Sequence, residues 1–281
     1  MKLGVIGLGV IGQEIAYRLQ GWGHSVYVYD KDRSLIDQCR MKGAEGVLNT
    51  RELSVCEVIF ICVNGDRQIE SVMSGEGGLL EILTEGKVLI DVGTTSPELE
   101  ARFELMCAQR GASYLDAPVS WRDDGLIMMV GGNEETYIRV RTLLEMVSSK
   151  CRYMGSIGSG QKVKSLNQMI FSNFTAVWAE AITYANAIGI PQDVLTDFLG
   201  FSAPESMYTG DYSRIKGSID NNVKDLLYVI ELAHENNVTI PVTSVTHQAF
   251  KYLMKIGDGK LSQNSLIKYW KVLNGEKEDH D

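Results

Sequence analysis

Residues Lys2 to Gly12 read K-L-G-V-I-G-L-G-V-I-G, and this stretch decides how the first half of the chain folds. Leu3 to Ile6 is an apolar run of the length of a buried parallel strand. Gly7, Gly9 and Gly12 follow it in the spacing G-x-G-x-x-G, with Leu8, Val10 and Ile11 between them. Each glycine has its own physical role. Gly7 permits a tight turn off the strand, Gly9 lets the main chain approach a pyrophosphate, and Gly12 lets the next helix pack on the sheet. The helix N-terminus offers unpaired N–H groups and partial positive charge to phosphates. A glycine-rich turn without a ligand shows the same letters, so context has to decide. A second apolar strand, Ser25 to Tyr29, ends in Asp30, about 20 residues on, where a carboxylate can hold ribose hydroxyls. Together these features predict a dinucleotide site.

The 281 residues suffice for about two domains. Hydrophobic residues at 44% and charged residues at 22% fit a globular enzyme, and no apolar run approaches the ~18 residues of a membrane span. The first strand begins at the N-terminus, so no secretory signal is expected. A net charge of -9 argues against nucleic-acid and anionic-membrane partners. Cys39, Cys56, Cys62, Cys107 and Cys151 are odd in number and lack metal-type spacing. They read as reduced cytoplasmic thiols, and no metal is expected.

Beyond the fingerprint, Ile11 to Leu19 has helical spacing and ends at G-W-G-H. Asp30 opens D-K-D-R, so Lys31 or Arg33 could meet a 2′-phosphate, but Asp30 would repel it in the same pocket; NAD is favoured over NADP. Val58 to Val63 and Val88 to Val92 are further buried strands. Ligands of open α/β sheets lie outside the carboxyl ends of the strands, which places Val63, Asn64 and Thr94 where a cofactor is expected. Thr94 also precedes the cap of a helix opening at Ser96-Pro97, and both roles are compatible. Ser113 to Val119 and Leu126 to Val130 read as strands joined by S-W-R-D-D-G, Ser120 to Gly125, a tight connection. Glu134 to Val147 reads as a helix and Cys151 to Met154 as a last strand. Gly155 to Gly160, G-S-I-G-S-G, marks a domain boundary. From Gln161 to Ile188 the pattern is continuously helical, and the later segments Asp193 to Leu199, Val223 to Asn236, Val242 to Met254 and Ser262 to Leu273 are helical too. The polar end G-E-K-E-D-H-D reads as a frayed tail.

Hydride chemistry needs a proton donor, and Lys164 is the best candidate. It lies with Lys162 in the first turn of the long helix, where the macrodipole disfavours cations and, with partial burial, eases proton release. A solvated lysine pair beside a loop is the alternative. Asn167 and Gln168 share its helix face and could orient the lysine or a substrate oxygen.

The chain resembles the β-hydroxyacid dehydrogenase family, which includes 3-hydroxyisobutyrate dehydrogenase, tartronate semialdehyde reductase and glyoxylate/succinic semialdehyde reductases. G-L-G-V-I-G, D-V-G-T-T-S-P, D-A-P-V-S from Asp116 and G-S-G-Q-K-V-K-S-L-N from Gly158 match in order, and V-K-D-L at Val223 and I-G-D-G-K-L-S near the end resemble further family blocks. The resemblance implies Lys164 as the catalytic lysine and Thr94 and Ser120 at the nicotinamide and substrate. It also implies that Lys224 contacts cofactor and Asp225 contacts substrate. Three departures stand out. Family members usually carry serine where Gly93 stands and asparagine where Gln168 stands. Their glycine-rich substrate loop is here about four residues shorter and reads Trp121-Arg122-Asp123-Asp124. Arg122 could replace lost main-chain donors with a bidentate guanidinium, or be an exposed cation beside Asp123 and Asp124.

These readings predict an α/β, Rossmann-type doubly wound domain over residues 1–159, followed by an all-α substrate and dimerisation domain over 160–281, led by a long interdomain helix. The expected activity is NAD(P)-dependent hydride transfer with a small β-hydroxyacid or its semialdehyde or keto form, in a homodimer or homotetramer. The alternatives are an imine or phosphonate-carbonyl reductase on the same fold, and a dinucleotide-binding homologue with impaired catalysis.

Overall fold

The computed structural model describes residues 1–213 and 217–275. It divides into two compact units, Met1–Lys164 and Ser165–Asp281, with the division inside one helix.

In the first unit the chain runs β1 (Lys2–Ile6), α1 (Val10–Gly21), β2 (Ser25–Tyr29), α2 (Arg33–Met41), β3 (Glu45–Gly46), β4 (Val58–Ile61), α3 (Asp66–Ser74), β5 (Val88–Asp91) and α4 (Pro97–Ala108). It continues through β6 (Ser113–Asp116), β7 (Val119–Arg122), β8 (Gly125–Gly132), α5 (Glu134–Val147), β9 (Lys150–Gly155) and the start of α6 (Ser159–Ala187). The strand order is β3-β2-β1-β4-β5-β6-β8-β7, with β9 paired to β8. Strands β1 to β6 are mutually parallel, and the chain crosses from the β2 side to the β4 side at β1. That crossover is the switch point where a doubly wound sheet opens a crevice for a ligand.

Burial on both faces follows from the apolar runs. In β4, Val58 and Phe60 join one core with Ile15 and Leu19 of α1 and Leu143 and Leu144 of α5. Ile59 and Ile61 point the other way, to Ile69 of α3 and Leu99 and Phe103 of α4. Each such side chain contributes about 1.5–3 kcal/mol on burial, which outweighs the weak strand propensity of four residues. The helices start on side-chain caps: Asp32 accepts from Ser34 N at α2, and Asn133 from Thr136 N at α5.

The expected strand from Ser113 to Val119 is two strands. Ala117-Pro118 interrupts it, because proline has no N–H for the ladder. Both pieces run antiparallel to β8, at different points along it. The connection at S-W-R-D-D-G is a hairpin: Arg122 pairs with Gly125, and Asp123-Asp124 forms the two-residue turn.

The second unit holds most of α6, then α7 (Ser206–Thr209), α8 (Ile219–Glu235), α9 (Pro241–Lys255) and α10 (Ile267–Leu273). Asp193 to Leu199 forms a wide π-type turn over Val194–Phe198, and the segment from Ser262 passes through a short 3₁₀ turn before α10. Leu226, Val229, Phe250 and Leu253 make its main core. Of the expected frayed tail, Gly275 to Asp281, residues 276–281 lie outside the described residues. Among the described residues no helix is long and apolar enough to cross a membrane. All five cysteines are unpaired. Burial pushes the Cys56 and Cys107 thiols up to about 12 and Cys151 to about 11.

Candidate active site

The turn after β1 has the close approach that its glycines imply. Gly7 sits at φ +85°, and a Cβ there would lie 2.5 Å from the Cys62 carbonyl oxygen; one on Gly12 would overlap the Gly7 carbonyl at 1.8 Å. Helix α1 therefore starts against the sheet. It begins at Gly9 with no side-chain cap and no acidic residue in its first turn. A Cβ on Gly9 would meet nothing within 4 Å, and Val10 is 70% exposed, so the start of the helix is open to an anion. These features fit a dinucleotide pyrophosphate.

Asp30 follows β2 and closes this turn from the other side. Its Oδ2 accepts from Leu8 N at 2.6 Å and its Oδ1 from Asp32 N at 2.8 Å. It lines a cavity of about 250 Å³ with Tyr29, Lys31, Arg33, Ile36 and Leu48. A carboxylate and two cations thus share one wall, suited to the adenosine end of a dinucleotide. Val63 and Asn64 follow β4, and Gly93 and Thr94 follow β5. These two loops touch: a Cβ on Gly93 would lie 2.5 Å from the Val63 carbonyl oxygen. Serine does not fit there in the present backbone, which gives a physical reason for this departure from the family pattern.

Lys164 is 7% exposed. Its Nζ donates to the Val119 carbonyl at 2.8 Å and to Ser120 Oγ at 3.0 Å. The structure thus joins two predicted site residues separated by 44 positions, while neighbouring Lys162 is exposed. The N-terminus of α6 is held by Asp116 at the end of β6, which accepts from Gly158 N at 2.8 Å and from Gln161 N at 2.9 Å. Trp121 and Arg122 lie on the hairpin, half-buried, and Arg122 Nη1 donates to the Trp121 carbonyl at 2.8 Å.

Sequence reasoning did not single out the acids beneath this region. Asp91, Glu100 and Asp116 are buried together with Thr95 and Gln161. Burial raises the Asp91 and Asp116 carboxyls to about 6, and burial followed by those two neighbouring charges holds Glu100 well above the usual range. Acids adjoining apolar runs were the available signal.

In the second unit Asn167 Nδ2 donates to Gln168 Oε1 at 3.1 Å, and Gln168 Nε2 bonds Asp225 Oδ2. Lys224 Nζ lies 3.2 Å from Asp225 Oδ1. Four predicted site residues thus form one polar cluster.

Residues 2–155 match the family described as the NAD binding domain of 6-phosphogluconate dehydrogenase. Residues 158–270 match that described as NAD-binding of NADP-dependent 3-hydroxyisobutyrate dehydrogenase. The chain is 30% identical to 2-hydroxy-3-oxopropionate reductase of Escherichia coli K12, covering 99% of each chain. It is 27% identical to 2-(hydroxymethyl)glutarate dehydrogenase of Eubacterium barkeri, over 98% of this chain and 96% of that one. The structure of 3-hydroxyisobutyrate dehydrogenase from Salmonella typhimurium shares the fold, with a TM-score of 0.86 at 24% identity over 95% of this chain and 99% of that one. Psf3 in complex with NADP+ and 2-OPP has a TM-score of 0.84 at 27% identity, over 96% and 99%. With a Rossmann-type domain that fits a dinucleotide and both halves matched in order, the chain belongs to the β-hydroxyacid dehydrogenase family of NAD(P)-dependent oxidoreductases.

Proposed function

We infer that the protein interconverts a small β-hydroxyacid and its semialdehyde or keto form, with Lys164 moving the proton and NAD preferred over NADP. The observation that carries this reading is the buried Lys164 ammonium on Ser120 Oγ and the Val119 carbonyl.

Bound nicotinamide supplies a donor or acceptor of hydride. The residues Gly7 to Gly12 and the start of α1 hold the pyrophosphate, Asp30 the ribose hydroxyls, and Val63, Asn64 and Thr94 line the path beyond. Lys164 gives its proton to the substrate carbonyl oxygen in reduction and receives it back from the hydroxyl in oxidation, and Ser120 aims the ammonium. Lys224 is assigned to cofactor. Gln168, Asn167 and Asp225 are assigned to substrate by their place in the family blocks, with Trp121 and Arg122 shaping selectivity for an acidic group. The split into a nucleotide-binding region, 1–159, and a substrate and dimerisation region, 160–281, is part of the same reading.

A homodimer or homotetramer is supported by the exposed apolar side of α6, where Phe174, Val177 and Tyr184 are 53%, 54% and 66% exposed. Five unpaired thiols support a cytoplasmic site of action, and the charge of -9 disfavours nucleic acid and anionic membrane.

A panel of C3 to C5 semialdehydes, ketoacids, phosphonate ketones and cyclic imines, each with NADH and NADPH, tests the reading at the nicotinamide absorbance band. Turnover of semialdehydes or ketoacids is the expected result. Turnover confined to imines or phosphonates would move the reaction to those classes, and binding of NADH without any turnover would indicate lost catalysis.

A further inference from the structure

Among the described residues, Asp91, Glu100 and Asp116 have no cation among their hydrogen-bond partners, although each is exposed by 1% or less. Uncompensated acids are expensive to bury, so their bonds call for an account. They are not disposed to hold a metal ion. Asp116 and Glu100 both bond Gln161, which is 2% exposed, and Asp91 is joined to it through Thr95 Oγ1. The Gln161 main-chain N–H donates to Asp116 Oδ2 at 2.9 Å. Its Nε2 faces the Gly93 carbonyl at 3.0 Å, Thr95 Oγ1 at 2.9 Å and Glu100 Oε1 at 3.1 Å, while its Oε1 accepts from Thr95 N at 3.3 Å. Thr95 Oγ1 also bonds Glu100 Oε1. One side-chain amide therefore fastens the Gly93 to Thr95 segment, which contains Thr94, to the first turn of α6, three residues before Lys164. The amide can sit only one way round, since a flip would set its oxygen against the Gly93 carbonyl.

We propose that Gln161 and Glu100 are positioning residues for Lys164 and Thr94, Gln161 as the bolt between their two segments and Glu100 as the part of its socket that fixes the amide. The catalytic readout of this proposal rests on the hydride-transfer reading above; its structural readout does not. The socket works with a neutral carboxyl at position 100. Asp116 accepts two main-chain N–H groups and Asp91 one, but Glu100 Oε2 is buried without a partner. The groups facing Glu100 are Asp91 from β5, Asp116 and Tyr114 from β6, Thr95 from the loop and Gln161 from α6, none of them basic. A neutral Glu100 removes one of three like charges from this buried group and keeps Oε1 as acceptor for Gln161.

The test uses the full chain with Gln161→Ala, Glu100→Ala and Glu100→Gln, the last an isostere of the neutral acid. Two measurements are made: steady-state kinetics with the substrate found in the panel, and deuterium uptake by peptides covering 93–96 and 158–164 in the cofactor-free protein. Gln161→Ala is expected to lower kcat by about 10–100-fold, the scale of a misplaced acid–base group, with KM and cofactor Kd within about threefold. It also raises uptake in both peptides. Glu100→Ala follows it, whereas Glu100→Gln stays near wild type in both measurements. Wild-type kcat or unchanged uptake in Gln161→Ala overturns the proposal, and a Glu100→Gln enzyme as impaired as Glu100→Ala removes Glu100 from it. Should Glu100→Ala fail to fold, Glu100→Gln and Gln161→Asn, too short to span the socket, carry the same comparison. If wild-type protein transfers hydride to no substrate, the functional reading fails while the uptake arm still decides the bolt.

Discussion

A serine at position 93, the residue that the family resemblance leads one to expect there, should damage this protein. In Gly93→Ser the new Cβ falls 2.5 Å from the Val63 carbonyl oxygen and 3.0 Å from Asp91 Oδ1. The first distance is about 1 Å inside an ordinary C···O contact of ~3.3–3.6 Å. The Val63 carbonyl belongs to a loop leaving the adjacent parallel strand, so relief requires main-chain movement rather than a rotamer change. Overpacking of this kind costs roughly 1–3 kcal/mol. For a unit the size of Met1–Lys164, that corresponds to a fall in Tm of roughly 2–12 °C. Differential scanning calorimetry, which does not presuppose a single two-state transition, is the suitable assay. Gly21→Ser is the control, because a Cβ there meets nothing within 4 Å. The same movement should lower kcat by displacing Thr94. A Gly93→Ser protein that melts within about 1 °C of wild type at full activity would refute the reasoning, since a 1 kcal/mol penalty already moves Tm by about 2–4 °C.

Lys164→Ala should lower turnover by roughly 10²–10⁴-fold while leaving NADH affinity nearly unchanged in a fluorescence titration; activity within a few-fold of wild type would remove it from the mechanism. Asp30→Ala should narrow the preference for NAD(H) over NADP(H), and tighter NADPH binding by the wild type would contradict the ribose assignment. Arg122→Ala should raise KM for the acidic substrate without changing cofactor affinity; an unchanged KM confines Arg122 to the hairpin, where it already bonds the Trp121 carbonyl. Asp91, Glu100 and Asp116 have folded pKa values above their unfolded ones, so their contribution to stability is fully present at low pH and is lost as pH rises through about 6 for Asp91 and Asp116, and higher for Glu100. Glu100→Gln, which cannot ionise, should therefore gain stability relative to wild type as pH rises from about 4.5 to 8; a Tm difference that stays flat or falls would contradict the buried-acid assignment.

The fold was legible where burial imposes a pattern. V-I-F-I at Val58 to Ile61 can satisfy two cores only as a strand covered on both faces, and the glycines at Gly7 and Gly12 mark contacts that a Cβ would prevent. The long helix, expected over Gln161 to Ile188, spans Ser159–Ala187 because its apolar spacing runs unbroken. The divided strand was harder to foresee. Pro118 has no N–H to give while apolar character continues through Val119, and hydropathy does not register a missing N–H. The socket was beyond local reading altogether: Gln161 meets Thr95 and Glu100 across more than sixty residues of sequence. A polar side chain in a helix discloses its partners only once the strands have brought them together. Lys164 was found because a cation close to a helix N-terminus conflicts with the dipole, although α6 opens at Ser159 and so places it in the second turn rather than the first, whereas Gln161 is at home in the first turn.

The unpaired thiols bear on how this protein can be handled. With pKa values of about 12 at Cys56 and Cys107, about one thiol in 10⁵ is ionised at pH 7, and only the thiolate attacks maleimides and iodoacetamides. Cys62 is held well above its ordinary value too, and Cys39 and Cys151 are raised by burial. The native chain is therefore a quiet background for labelling. A cysteine placed at Asp124, on the exposed hairpin tip, would take a fluorophore selectively and report on that tip without prior removal of the native cysteines.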